Sequence, residues 1–368
     1  MAEHSRDIHD RINTKRSKKR LRLIAIIVIT VCLGLLFWFI KQYKTVDEQL
    51  AAIEAARAIP DAENASAIYN ELLADPNATS LLDIRPDFLD DQTWNLTMTK
   101  PWRSKDYPRL AELINEHQYV IEKLLEAGRF DECHLPITVD LMQQSQPMLD
   151  WLPDMRQWAF LLSFAANNNI AEGQIDAAIA KWRCILKMGN HLRQQPMLVD
   201  HLVAQAVDRI ALVPMARFIV EDDAIETYLQ KIEAIPLPVT DDWREILEET
   251  RFLEDIPIQK MKEQFSLFDH VQYNLIRWKT RGIMNGPDLN KINELYLRHI
   301  TTARGVYILI ALRRYKNKTG RWPESLDAIK SAAPVEAFID PVTGNPLKYE
   351  NHGERFSLFG ETANIWPK

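Results

Sequence analysis

The chain has 368 residues, 46% apolar and 26% charged, which is enough apolar sequence for two structured regions with a sizeable core and argues against wholesale disorder. Its net charge of −6 is unevenly placed: residues 1–44 hold ten Lys/Arg and three Asp/Glu, leaving 35 basic and 48 acidic residues from Thr45 onward, a net of −13. An outer region this acidic excludes a nucleic-acid partner, because phosphate contacts rest on Lys and Arg. Only 11 glycines and long stretches without Gly or Pro favour helices over a sandwich or barrel.

The N-terminal arm, residues 1–22, carries eight basic residues from Arg6 to Arg22. Leu23 to Ile40 then reads LIAIIVITVCLGLLFWFI, without a charge. Such a run spans roughly 27 Å as a helix, close to the hydrocarbon thickness of a bilayer. It predicts a transmembrane helix, with Trp38 and Tyr43 as interface anchors and Arg22 snorkelling at the other end. The basic arm sets the N-terminus in the cytoplasm and the rest outside, an inner-membrane single-pass topology. Lys41-Gln42-Tyr43 follows the run in place of a small-x-small cleavage site, and Val31 before Cys32 does not suit a lipoprotein, so the anchor is read as uncleaved.

Residues 41–102 read as juxtamembrane helices and a loop. Thr45 to Ala58 predicts one helix, and Asp61 predicts the N-cap of a second that runs to Leu73. Residues 75–102 hold Pro76, Pro86 and Pro101 and read as loop with short elements.

Residues 103–287 read as a helical body. Leu110, Leu113, Ile114, His117, Ile121, Leu124 and Leu125 recur at helical steps and predict one continuous helix capped at Gly128. His117 reads as a core or boundary histidine, since no second ligand sits a turn away. A helix from Met155 to Ala166 is expected to stop at Asn167-Asn168-Asn169, and a second runs from Ile175 to Met188. Ala165, Gly173, Ala178 and Trp182 in this stretch resemble one tetratricopeptide helical hairpin, with no 34-residue period behind it. Further helices are expected over Leu198 to Val220, Ala224 to Ile235, Asp242 to Phe252 and Met261 to Lys279.

Residues 288–368 read as a long helix plus a small α+β tail. Ile292, Leu295, Tyr296, His299, Ala303, Tyr307 and Ile310 form the helix stripe, and Gly320 ends it. Pro323 is expected to open a short helix with Leu326 and Ile329 inward. Asp340 to Pro346 is a run of turn formers, and Leu347, Tyr349, Phe356 and Leu358 alternate with polar residues as a β-hairpin does.

The run from Tyr315 through Gly320-Arg321-Trp322-Pro323-Glu324-Ser325-Leu326, Asp340-Pro341 and Gly344-Asn345-Pro346 to Phe356 and Leu358 is similar to the tail of the type II secretion major pseudopilin. The N-terminus departs from that family: Arg22 to Ile26 reads RLIAI, with no preceding Gly and no Glu at the fifth position. The calcium-binding end of the pseudopilin is also missing after the hairpin. An inward N-terminus, then Pro60, Asp61, Glu63, Asn64, Ala65 and Tyr69, then this tail together resemble an uncharacterised family of bacterial membrane-anchored proteins. That resemblance implies location and architecture and no activity.

Little in the chain suggests catalysis. There is no His-Glu-x-x-His, Walker loop, Gly-x-Ser-x-Gly or Gly-x-Gly-x-x-Gly, so no metal, cofactor or catalytic residue is assigned. Cys133-His134 and His191 with His201 lack the paired spacing of a zinc site. The acidic pairs Asp222-Asp223, Asp241-Asp242 and Glu248-Glu249 read as solvated helix ends. Cys133 and Cys184 could form a disulfide in an oxidising compartment; the alternative is two separate buried thiols. The expectation is therefore a mainly α protein with a transmembrane helix, a helical extracytoplasmic body and a small C-terminal α+β module. Its partners are the lipid bilayer, through Leu23 to Ile40, and an unknown protein. Three functions remain open: a non-enzymatic scaffold or binding protein, a component docking to a secretion pseudopilus, or a hydrolase with a dispersed site.

Overall fold

The computed structural model describes residues 46–79, 88–135, 151–222, 224–238, 243–248, 250, 289–361 and 363–366. The basic arm, the apolar run 23–40, the expected helix 261–279 and much of the expected helix 242–252 lie outside the described residues. Among the described residues no helix is long and apolar enough to cross a membrane. The chain divides into two compact units, 1–56 and 57–368. The second holds the core.

In chain order the helices begin with α1 (Val46–Arg57). A 3-10 turn at Asp61–Glu63 precedes α2 (Ser66–Leu73), so the expected single helix from Asp61 is two elements. The break has a local cause. The Asn64 side chain accepts from Ser66 N (3.0 Å) and His134 N (3.0 Å) and donates to His134 O (3.2 Å), which holds the backbone extended at 64. α3 (Pro76–Thr79) and α4 (Asp91–Thr99) follow, the latter capped by the Asp90 carboxylate accepting from Thr93 N at 2.6 Å.

The helix expected over 110–125 is also divided, into α5 (Pro108–Glu116) and α6 (Gln118–Ala127). His117 sits between them with φ −105° and ψ 22°, and its ring Nδ1 lies 2.8 Å from the Leu113 carbonyl oxygen. Leu113 O also accepts the His117 N–H at 3.2 Å, so the ring and the backbone share this carbonyl at the helix end.

Three long helices form the centre: α7 (Leu152–Ala171), α8 (Ile175–Arg193) and α9 (Leu198–Glu221). α7 does not stop before the asparagines. Each Asn amide instead donates to a neighbouring segment: Asn167 to Thr97 O (2.9 Å), Asn168 to Trp102 O (3.2 Å), and Asn169 to Gln174 Oε1 (2.6 Å). Gly173 turns the chain at φ 78°, and Ala178 and Trp182 are fully buried. Gly189 lets α9 approach α8 closely, because a Cβ there would collide with the Asp208 carboxylate.

α9 contains Pro214, which has no N–H for the Ile210 carbonyl one turn back. Ser163 of α7 fills that gap. Its hydroxyl lies 3.3 Å from Ile210 O and 3.4 Å from Met98 O, and its single proton can serve either. After α10 (Glu226–Glu233) and a helical stretch at 243–248 comes α11 (Leu289–Thr319). It ends at Gly320, φ 79°. Leu295 is exposed and stands off the expected stripe, whereas Ile292, Tyr296, His299, Ala303 and Ile310 are buried.

In the C-terminal module Pro323 precedes an extended segment, and the short helix is a 3-10 turn beginning at Leu326. Strands β1 (Lys348–Asn351) and β2 (Phe356–Phe359) form the expected hairpin, with Tyr349 opposite Leu358. A third strand, β3 (Asn364–Trp366), was not expected; it pairs antiparallel with β2 and lies at the edge of the sheet. It meets α11, where a Cβ on Gly305 would collide with the Ile365 side chain. Asp340 closes the module by accepting from Val342 N (2.8 Å) and from Glu361 N.

Candidate ligand-binding cleft

α9 and α11 run in the same direction and are pinned together at two points. Midway, Asp208 of α9 is fully buried, with Arg193 Nη1 of α8 2.5 Å from its Oδ2. His299 Nε2 of α11 lies 3.1 Å from the same oxygen, off the line of a hydrogen bond. Near the end of α9, the buried Arg313 of α11 donates from Nε to Ile219 O at 2.6 Å and from Nη2 to Val220 O. A guanidinium there satisfies carbonyls that a helix C-terminus leaves unpaired and opposes the negative end of its dipole.

Between these helices and the sheet lies a cleft of about 780 Å³. Its apolar lining comes from Val213, Ala216 and Val220 of α9 and from Trp366 of the sheet; Leu212, Val306 and Leu309 also line it but are fully buried. The sheet closes it with Phe356, Ile365 and Trp366, and Trp322 stands beside them. Trp322 is fixed in place: its Nε1 donates to Glu354 O at 3.0 Å, its ring meets Phe356 edge-on at 4.6 Å, and Lys316 lies over its face at 4.6 Å.

The rim is basic. Arg209, Arg217, Arg298, Lys316 and Arg355 line the cleft against two carboxylates, Glu221 and Glu354. Arg217 is paired with Glu221 at 3.4 Å. Arg209, Arg298 and Arg355 are exposed, and their guanidinium groups have no hydrogen-bond or ion-pair partner among the described residues. The cleft thus inverts the sign of a region that carries 35 basic and 48 acidic residues.

The spacing explains how the sequence builds this surface. Arg209, Leu212, Val213, Ala216, Arg217 and Val220 recur at three- and four-residue steps on α9, as do Arg298, Thr302, Val306 and Leu309 on α11. No Cys, His or Ser is among the lining residues; the one hydroxyl, Thr302, donates to Arg298 O at 2.9 Å.

No protein-family model, curated protein or solved structure matches this chain.

The residues singled out in the sequence lie elsewhere. Cys133 and Cys184 are separate buried thiols, and burial pushes each up to about 12. The Cys184 thiol donates to Leu124 O at 3.0 Å. His191 lies between Tyr69 OH (2.8 Å at Nδ1) and Phe130 O (3.0 Å at Nε2). A carbonyl can only accept, so Nε2 carries the proton and Nδ1 accepts from the phenol. Burial lowers this imidazole to about 4. His201 Nε2 lies 3.0 Å from Gln195 O. Among the described residues no group of His, Cys, Asp and Glu could hold a metal ion. Asp222 and Glu248 are exposed; Asp223, Asp241, Asp242 and Glu249 lie outside the described residues. The five rim cations were not legible beforehand, although a basic residue at each end of an otherwise apolar stripe on α9 is a signal that could have marked them.

Proposed function

We propose that this chain is a membrane-anchored binding protein without enzymatic activity, held by the apolar run 23–40 with the helical region outside the cytoplasm. Its cleft takes an anionic amphipathic ligand. The observation that carries this reading is the pairing of an apolar lining with a basic rim that includes three arginines with unpaired guanidinium groups, in an otherwise acidic region. Buried apolar area supplies affinity and the rim supplies orientation and on-rate. The pseudopilin-like tail serves here as one wall of the cleft.

The test uses the full chain in nanodiscs with Val213→Cys, a half-buried cleft position. Of the three native cysteines, Cys133 and Cys184 are buried and resist alkylation, and Cys32 is replaced by Ala in every protein compared. Decanoate, a small anionic amphiphile, is expected to slow N-ethylmaleimide labelling of Cys at 213 and to leave labelling at Val335→Cys, an exposed site outside the cleft, unchanged. Equal rates with and without decanoate at both positions contradict the reading. The topology has its own check: protease added to spheroplasts should digest the chain beyond Tyr43 and spare the basic arm, and full protection refutes it.

A further inference from the structure

We infer that the ligand of this cleft is an extended acidic peptide segment, added as a fourth strand beside β3; the inference rests on the cleft being a ligand site. Two independent features point to it. The first is the charge: a rim with five cations and two carboxylates complements a segment carrying several Asp or Glu. The second is the wall. β3 is an edge strand, and its residues Asn364, Ile365 and Trp366 line the cleft. One step along β2, Leu358 to Phe359, corresponds to two along β3, Trp366 to Asn364, so Ile365 is the extra residue of a bulge and faces no partner on β2.

An edge strand presents backbone N–H and C=O groups to whatever lies beside it. A peptide backbone can use them; a lipid chain cannot. A short bulged edge alone is also how sheets discourage pairing, so the edge acquires meaning only from the cleft it lines. Side chains alternate along an extended peptide, so one face would set apolar groups on Val213, Ala216 and Val220 while the other carries carboxylates to Arg209, Arg298 and Arg355.

The experiment again reads alkylation of Val213→Cys in the full chain in nanodiscs. Three hexapeptides are compared: alternating Glu and Leu, alternating Lys and Leu, and the Glu-Leu peptide N-methylated at alternate residues. The Glu-Leu peptide is expected to protect Cys at 213 saturably, and Arg298→Glu to weaken that protection by about tenfold, the scale of one lost charge contact. N-methylation is expected to abolish protection, because it removes the strand-pairing N–H groups. If decanoate protects but the Glu-Leu peptide does not, or if its N-methylated form protects equally, the cleft is a ligand site and the peptide inference is wrong. Protection by phosphatidylglycerol in the nanodisc and not by peptide likewise overturns it in favour of a lipid. If nothing protects, both readings fail.

Discussion

Two buried titratable residues, Asp200 and His191, pull the pH dependence of stability in opposite directions. Burial raises Asp200 to about 7, partly offset by Met197 N, which donates to its Oδ2 at 3.2 Å. Its native form holds a proton that the unfolded carboxylate has lost above its ordinary value, so it makes stability fall as pH rises from about 4 to 7. His191, lowered to about 4, does the reverse: the unfolded imidazole binds a proton that the native one refuses, so stability falls as pH drops from about 6.5 to 4. Each slope is at most about 1.4 kcal/mol per pH unit, and the windows overlap. Denaturant titrations of Asp200→Asn should therefore reveal a protein that gains stability from pH 4 to 6.5, and those of His191→Gln one that loses it. Parallel slopes in the two variants would refute the assignment. The Arg193–Asp208 pair makes a second residue-scale prediction. Arg193→Met leaves a fully buried carboxylate without its cation and should cost about 3–5 kcal/mol in chemical denaturation.

Among the elements, α9 depends on a hydroxyl that belongs to another helix. Pro214 frees the Ile210 carbonyl, and Ser163 of α7 donates to it. Ser163→Ala should destabilise by about 1–3 kcal/mol, the cost of an orphaned buried acceptor. In Ser163→Ala combined with Pro214→Ala the helix supplies its own donor, so part of that loss should return; strictly additive losses would contradict the pairing. The C-terminal sheet depends on Phe356, fully buried between Trp322, Tyr349 and Trp366. Phe356→Ala should cost about 3–5 kcal/mol and lower the thermal midpoint. Much at this scale was legible in the sequence: Gly173 and Gly320 as turns, the helices on either side of Gly173, and a hairpin built from the strands of Tyr349 and Leu358. The misses have physical reasons. Asn64 breaks a helix through side chain to backbone bonds that apolar periodicity does not register. β3 is three residues long and has no alternation to read.

At the scale of the whole molecule the sequence could not show what joins distant positions. Asp208 and His299 stand 91 residues apart, and Arg313 reaches Ile219 across 94. Only the fold brings Arg209, Arg298 and Arg355 to one rim. The tail is part of that construction: Ile365 seats on Gly305 of α11, and Arg304 donates to Glu336 O at 3.3 Å. Truncation after Lys318 should therefore remove one wall of the cleft and expose Leu309 and Val306, lowering stability and abolishing decanoate protection at position 213 together. The central claim is that the basic rim and the apolar lining act jointly on an anionic amphipathic ligand. Its most direct test is the salt dependence of decanoate protection at Val213→Cys in the full chain, with Arg209→Glu and Arg298→Glu combined as the comparison. The account predicts affinity that falls steeply as ionic strength rises toward physiological values in the parent and is weak and nearly salt-independent in the double variant; equal affinity in both proteins at every salt concentration would contradict it.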